Sequence, residues 1–589
     1  MLRQFRRAIG IVCASLLVLA VGTVQFSSAQ PAQEWSDADA AGAPNQTLRP
    51  EIHSVTSVTA PQLPAAGAPD VDALTSRERP ALDAVGPEGR AALKRRVQGA
   101  QGVQAWEYGQ ADNLEEFGNS SDIEPYGHVI NTSFQGLDRV TGANSGFIFV
   151  PPDTVVAKGP NSVLEAVNSA LRLHTTAGGV IQTMDLNTFF SYAVGGDSDK
   201  ILFDPKVFYD RNATNPRYYI VALDAETSPS VSRIYFAVSR STSPASLAAA
   251  NWCRYFINAI RNSGTVNASW ADYEGLGVGR DAVVIPANQF RFSNNTFTYA
   301  IIRAMNKNIL SNNAGACPSG ASIPLFTWQP SAFLGDGTVF TLQPAQSYTS
   351  PSSFAGTTNP AYLISTIAGT SATYRVWRIR NVASGAPTLG GPVNLVGNFT
   401  YSLPPDARQS GSALLLDTGS QRMVQAAGIG NAIYGVHGTG CQFTGGTAVE
   451  SCVRYVRILV GQSGAGLLTA ALSQQITFGG GDNIFYFWPG IAANLLQKVI
   501  VVWQRSSSIS FLSAWRTGKT LAALGFEPAV AIRNGTCAQT AYNRTGDYVG
   551  AQMDPAGTTF WVAGEMTKAL VAGGTGCNWG TWIQQLTPP

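Results

Sequence analysis

The sequence predicts an all-β protein, a β-propeller of six to eight blades behind a disordered N-terminal segment. Three observations carry this. From about residue 128, short runs rich in β-branched and aromatic residues alternate with Gly, Asn, Ser and Pro: "SGFIFV" (145–150), "SRIYFAVS" (232–239), "AYLISTIAG" (361–369), "VIVVWQ" (499–504) and "TTFWVAGE" (558–565). Each has strand length and strand composition. Second, an ordered pair of segments recurs. "DPKVFYD" (204–210) precedes "DYEG" (272–275), and "WPGIAAN" (488–494) precedes "DYVG" (547–550). Repeats at this scale indicate blade-sized units. Third, only 13% of residues are charged and 60 are Gly, which suits many strands and turns. Roughly 460 residues give six to eight four-stranded blades at ~50–70 residues each. Radial stacking buries both faces of every small sheet and leaves only short edges. The alternative architecture is two tandem β-sandwich domains, with the same repetition read as a duplication.

The elements follow in order. Residues 1–29 read as a signal peptide: Arg3, Arg6 and Arg7 are followed by an apolar run from Ala8 to Gly22 and small residues at Ser27 and Ala29. The apolar run falls short of the ~20 residues that span a bilayer, and no later segment is long and apolar enough to span. Residues 30–127 are rich in Ala and Pro with scattered charge and read as a low-complexity linker or pro-region. Residues 128–589 form the propeller domain. Within it "NSVLEAVNSALRL" (161–173) fits either a helix or two strands around Asn168, and the all-β surroundings favour strands.

Cys13 leaves with the signal. Cys253, Cys317, Cys441, Cys452, Cys537 and Cys577 remain, an even number that suggests disulfides in an exported chain. Pairing of sequence neighbours is the simplest of the possible connectivities, which stay open. No C-x-x-C occurs and His53, His128, His174 and His437 stand far apart, so a zinc site is not indicated. A net charge of +2 without a basic stripe argues against nucleic acid as a partner. "RTGKT" (516–520) lacks the first Gly of a P-loop, and "GQSGA" (461–465) lacks the last Gly of a nucleophile elbow.

The segments "FVPPDTVVAKGPNSVLEAVNSALRLHTTAGG", "FDPKVFYDR", "WADYEGLGVGRDAVVIPAN", "FYFWPGIAAN" and "TGDYVGAQMDPAGTTFWVAGE" resemble those of a family of secreted, sialidase-like β-propeller proteins of bacteria. The resemblance spans about 145–565 and implies fold and export more than activity. The sequence departs from true sialidases: it has no S-x-D-x-G-x-x-W series, and neither an arginine triad nor a Tyr/Glu nucleophile pair can be assigned.

The candidate ligand-binding residues are Asp272, Tyr273, Arg544, Asp547 and Tyr548. Asp547 can hold a turn, Gly550 permits a close backbone approach, and Tyr548 can pack its ring while its hydroxyl finds a partner. Duplication of the Asp-Tyr-x-Gly pattern favours a structural role. The functional reading places Asp272 and Asp547 at the central channel, where carboxylates and carbonyls would suit Ca²⁺ as the one cofactor considered; "DSD" (197–199) is a further cation candidate. The expected function is non-catalytic binding of a glycan or surface polymer at the channel mouth, outside the cytoplasm. The alternative is a sialidase-like glycoside hydrolase using two carboxylates among Asp204, Asp210, Asp272, Asp547 and Glu565. Trp579 and Trp582 are candidate sugar-stacking platforms.

Overall fold

The computed structural model describes residues 49–58, 114–116, 128–139 and, within 150–588, all but 169, 193–201, 212–214, 228–229, 313–315, 330–338, 348–359, 368, 444–445, 447 and 570–576. The signal peptide, most of the 30–127 segment and residues 197–199 lie outside the described residues. The compact unit discussed below is 43–589.

The described residues form seven four-stranded antiparallel blades, six of them meanders, with a separate two-stranded pair of Ala407–Gln409 and Ser412–Leu416. Blade 1 comprises Val155–Lys158, Ser162–Val167, Ala170–Thr175 and Val180–Asp185. Thus "NSVLEAVNSALRL" is a strand pair turning after Asn168. Blade 2 comprises Phe203–Asp210, Arg217–Thr227, Ser230–Ser239 and Trp252–Asn258; blade 3 comprises Ser269–Asp272 with Gly277–Val278, then Ala282–Arg291, Phe297–Asn306 and Pro324–Trp328. Blade 4 comprises Gln343–Ser347, Ala361–Thr366, Ser371–Arg380 and Thr388–Tyr401, and blade 5 comprises Met423–Ile429, Ala432–Cys441, Glu450–Gln462 and Leu468–Gly479. Blade 6 comprises Ile484–Ala493, Val499–Ser507, Ser510–Lys519 and Val530–Arg533. Blade 7 takes Gly550–Met553, Phe560–Ala569 and Cys577–Thr587 from the end of the chain and its outer strand, Val129–Asp138, from the beginning. The first strand of each blade touches that of the next, and blade 7's touches blade 1's. The sheets therefore close a ring, which excludes two sandwiches.

Each blade has two apolar faces because its strands alternate between the clusters on either side. Ile364, Tyr374 and Val376 pack with Val456, Ile458 and Val460 between blades 4 and 5, whereas Leu363, Trp377 and Ile379 pack toward blade 3 with Ile302 and Phe326.

Two parts of the segment read as a linker are built onto the ring. Glu51–Ser54 pairs with the outer strand of blade 3 and Thr56–Ser57 with that of blade 2. Leu114–Glu116 adds in parallel to the outer strand of blade 5. Composition hides these additions because backbone pairing at an edge asks little of the side chains. The disulfides join sequence neighbours: Cys253 with Cys317, Cys441 with Cys452, and Cys537 with Cys577.

His437 is fully buried on blade 5. Its Nδ1 donates to the Gly438 carbonyl at 2.8 Å and its Nε2 accepts the Tyr374 hydroxyl at 3.1 Å. Burial, helped by the nearby Arg454, pushes its pKa from 6.5 down to about 3. The folded state therefore stays neutral over a range in which the unfolded chain binds a proton. Stability is lost as pH falls below the unfolded value, by up to about 1.4 kcal/mol per pH unit from this residue, until the folded value is reached. Urea midpoints taken between neutrality and strong acid should fall less steeply in His437→Gln than in the wild type.

Candidate functional site

The site follows from a backbone device repeated around the ring. A left-handed residue stands in or just ahead of the innermost strand in six blades: Asp153 (φ 48°), Asp204 (50°), Tyr273 (55°, between the two halves of its strand), Thr341 (56°), Trp488 (50°, mid-strand) and Gly546 (24°). Pairing with the second strand slips by one residue across Asp204, Tyr273, Thr341 and Trp488. Each is a β-bulge, which twists the strand and re-aims its side chains. Blade 5 shows the same slip between Met423 and Gln425. Residues two and three places beyond the left-handed one then face the axis: Val155 and Val156, Lys206 and Val207, Gln343 and Pro344, Tyr548 and Val549. The channel they line has a volume of about 40 Å³. That holds a few waters. Glycines keep it this tight: a Cβ on Gly550 would lie 2.7 Å from the Val156 amide nitrogen of blade 1.

The left-handed residues gather at one end of the channel, the upper mouth. Asp153 is fully buried. Its Oδ1 accepts the Asp547 amide of blade 7, and its Oδ2 accepts Asn168 Nδ2 at 2.6 Å. Asn168 Oδ1 in turn accepts the Asp204 amide of blade 2 at 2.7 Å. One hydrogen-bonded belt thus links blades 7, 1 and 2.

Aromatic rings close the floor of the mouth. The Tyr273 and Tyr548 rings lie 5.2 Å apart, and the Tyr273 hydroxyl reaches the Asp547 carbonyl at 3.5 Å. Burial raises both phenols; Arg422 opposes it at Tyr273, and neighbouring acids add to it at both. Lys206 Nζ sits over the Tyr548 ring. The Arg422 guanidinium stacks 4.2 Å from the Tyr273 centroid and 5.9 Å from that of Trp488. Burial opposes its charge, but Tyr273, Asp547, Tyr548 and Asp417 outweigh burial and favour the cation. Arg544 pairs with Asp547 at 2.9 Å.

The rim is made by two loops bridged over blade 6. The Asp417 amide donates to the Asn543 carbonyl at 2.8 Å, and the Asp417 carbonyl accepts Trp488 Nε1 at 3.0 Å. Asp417, Arg422, Asn543 and Arg544 are half-buried. Beneath them lies Glu565, 2% exposed. Burial, then Asp153 and Asp547, push its carboxyl well above the usual range, against one hydrogen bond from Gln504 Nε2 at 3.0 Å.

The mouth brings together Tyr273, Arg544, Asp547 and Tyr548, with Asp272 one residue before Tyr273 on strand Ser269–Asp272. Aligned on the left-handed residues, Tyr273 matches Gly546, so the two Asp-Tyr-x-Gly segments are out of step by two residues. "DPKV" and "WPGI" are in step, with Asp204 matching Trp488. Asp210 stands at the far end of its strand, paired with Lys307. Trp579 and Trp582 lie on blade 7's third strand, away from the mouth: Trp579 is buried, and Trp582 donates to Ser133 and stacks on Arg533. Among the described residues, no group of three or more His, Cys, Asp or Glu converges as a metal-binding set, and no helix is long and apolar enough to cross a membrane. Asp153, Asp417, Arg422 and Trp488 did not emerge as site residues from the sequence; "PPD" and "WPG" ahead of apolar runs were the available signals for Asp153 and Trp488.

No family model and no curated protein matches the chain. Among solved structures it is similar to the phage phi92 endosialidase (8% identity, 65% of this chain and 66% of that one, TM-score 0.29). It is also similar to an α-L-arabinofuranosidase of Fusarium graminearum in complex with arabinobiose (10% identity, 76% and 97%, TM-score 0.31). A third likeness is to the Trypanosoma rangeli sialidase (9% identity, 73% and 59%, TM-score 0.33). The chain spans less than two thirds of that sialidase's length. At these identities and TM-scores the likenesses assign no substrate or activity.

Proposed function

We propose that this protein acts outside the cytoplasm and binds a glycan or another surface polymer at the upper mouth without chemical change. The observation that carries this is the Arg422 guanidinium held against Tyr273 and Trp488 beside the Arg544–Asp547 pair. The buried Tyr273 and Trp488 rings fix the Arg422 guanidinium, and half-buried Arg422 and Arg544 are donors on a rigid scaffold that suit a hydroxylated ligand. The acids of the mouth are engaged in structure: Asp153 holds two blades together, and Asp547 is paired. Three disulfides support an oxidising compartment.

One observation favours the second reading, a glycoside hydrolase. Burial, then Asp153 and Asp547, push the Glu565 carboxyl well above the usual range, and carboxyls whose environments drive them apart can divide acid and base roles. Against this, Glu565 lies under the backbone: a Cβ on Gly546 would stand 3.0 Å from its Oε2.

A glycan array on the chain from residue 30, with and without EDTA, tests the proposal alongside a panel of fluorogenic glycosides. The expected result is chelator-insensitive binding, weakened tenfold or more by Arg422→Gln, with no turnover. Turnover that Asp547→Ala abolishes while the fold is retained would overturn it.

A further inference from the structure

A second cluster lies at the lower end of the groove between blades 4 and 5, away from the mouth. Tyr362 and Arg378 are direct cross-strand partners, and Arg380, two residues on, shares a face of the strand with Arg378. Arg378 Nη1 donates to Gln462 Oε1 at 3.3 Å, and Arg380 Nη1 donates to the same oxygen at 3.5 Å. Arg378 Nη2 donates to the Gly466 carbonyl at 2.7 Å. Two guanidinium charges therefore sit side by side, one 2% exposed and the other half-buried and open to solvent.

Among the described residues, neither forms an ion pair with Asp or Glu. Burial, and then Arg380, push the Arg378 pKa down to about 10, the direction expected of a cation without a counter-charge. Among the described residues two buried donors have no partner: Arg378 Nε and the Tyr362 hydroxyl, the latter on a side chain belonging to a residue 6% exposed. Buried cations and donors are normally compensated.

We infer that Tyr362, Arg378 and Arg380 form a subsite for a tetrahedral oxyanion, a sulfate or phosphate group. Two cations call for a divalent anion, and the guanidinium fork matches oxyanion geometry. The free ion and an ester carried on a polymer present the same chemistry. This subsite does not rest on the reading of the mouth.

Isothermal titration of the chain from residue 30 with sodium sulfate, sodium phosphate and sodium acetate at matched ionic strength tests it. Saturable binding of one sulfate or phosphate is expected, with acetate weaker. Arg380→Gln, at a half-buried position, should weaken binding at least tenfold, and Tyr362→Phe, which keeps the ring, by several-fold, with unchanged circular dichroism. Displacement of bound sulfate by a sulfated disaccharide would identify the ester as a ligand; failure to displace it would identify the free ion. No saturable heat, or equal affinity in wild type and Arg380→Gln, would overturn the subsite.

Discussion

Lys307→Met should lower stability by about 3–5 kcal/mol. Lys307 follows the third strand of blade 3, and its Nζ lies 2.8 Å from Asp210 Oδ2 at the end of blade 2's innermost strand. Neither side chain is exposed. The same Nζ donates to the Gly279 carbonyl at 2.6 Å. Removing the cation takes the charge partner at 2.8 Å from a buried carboxylate, so the loss exceeds the net worth of the pair. The double variant Lys307→Met with Asp210→Leu should recover part of it, because two apolar groups need no counter-charge. Urea midpoints of the two single variants and the double variant close the cycle. A loss below about 1 kcal/mol for Lys307→Met would mean that the pair behaves as a solvated one.

Glu165→Ala should cost a similar amount, about 3–5 kcal/mol, and should act on ring closure. Glu165 accepts the Leu137 amide at 3.0 and 2.9 Å through its two oxygens, accepts the Thr581 hydroxyl, and lies 3.1 Å from His174 Nε2. Leu137 belongs to the strand from the beginning of the chain, Thr581 to the last strand, and His174 to blade 1. One carboxylate therefore clasps the two ends of the chain to the first blade. Alanine strands the Leu137 amide and the His174 imidazole in a dry interior, while the Thr581 hydroxyl keeps the Leu137 carbonyl at 2.8 Å. Glu165→Gln keeps the shape and should lose less. The check is the thermal midpoint together with protease sensitivity of residues 128–139, which should rise in Glu165→Ala.

The fold was legible because strand composition and ring architecture impose the same demand at every blade. The equivalence of "DPKV" and "WPGI" was legible too, because Pro follows the left-handed residue in both. The mouth was less so. Its repeating feature is a backbone bulge occupied by Asp153, Asp204, Tyr273, Thr341, Trp488 and Gly546. A conformation repeats there without a residue repeating. Matching letters instead aligned Tyr273 with Tyr548, which differ in bulge position yet pack against each other as tilted rings. Arg422 was illegible for another reason: its partners are aromatic faces supplied by blades 3 and 6, far away in sequence. The edge strands at Glu51–Ser54 and Thr56–Ser57 carry mostly exposed side chains and so show no apolar period.

Hydrogen exchange of the wild-type chain tests ring closure most directly. Backbone amides of Val129–Asp138 that pair with Cys577–Thr587 should exchange as slowly as those of Phe560–Ala569, since both would open only with the whole sheet. Exchange of 129–138 at the rate of an unstructured chain, while 560–569 stays protected, would contradict a ring that closes through the strand ahead of blade 1.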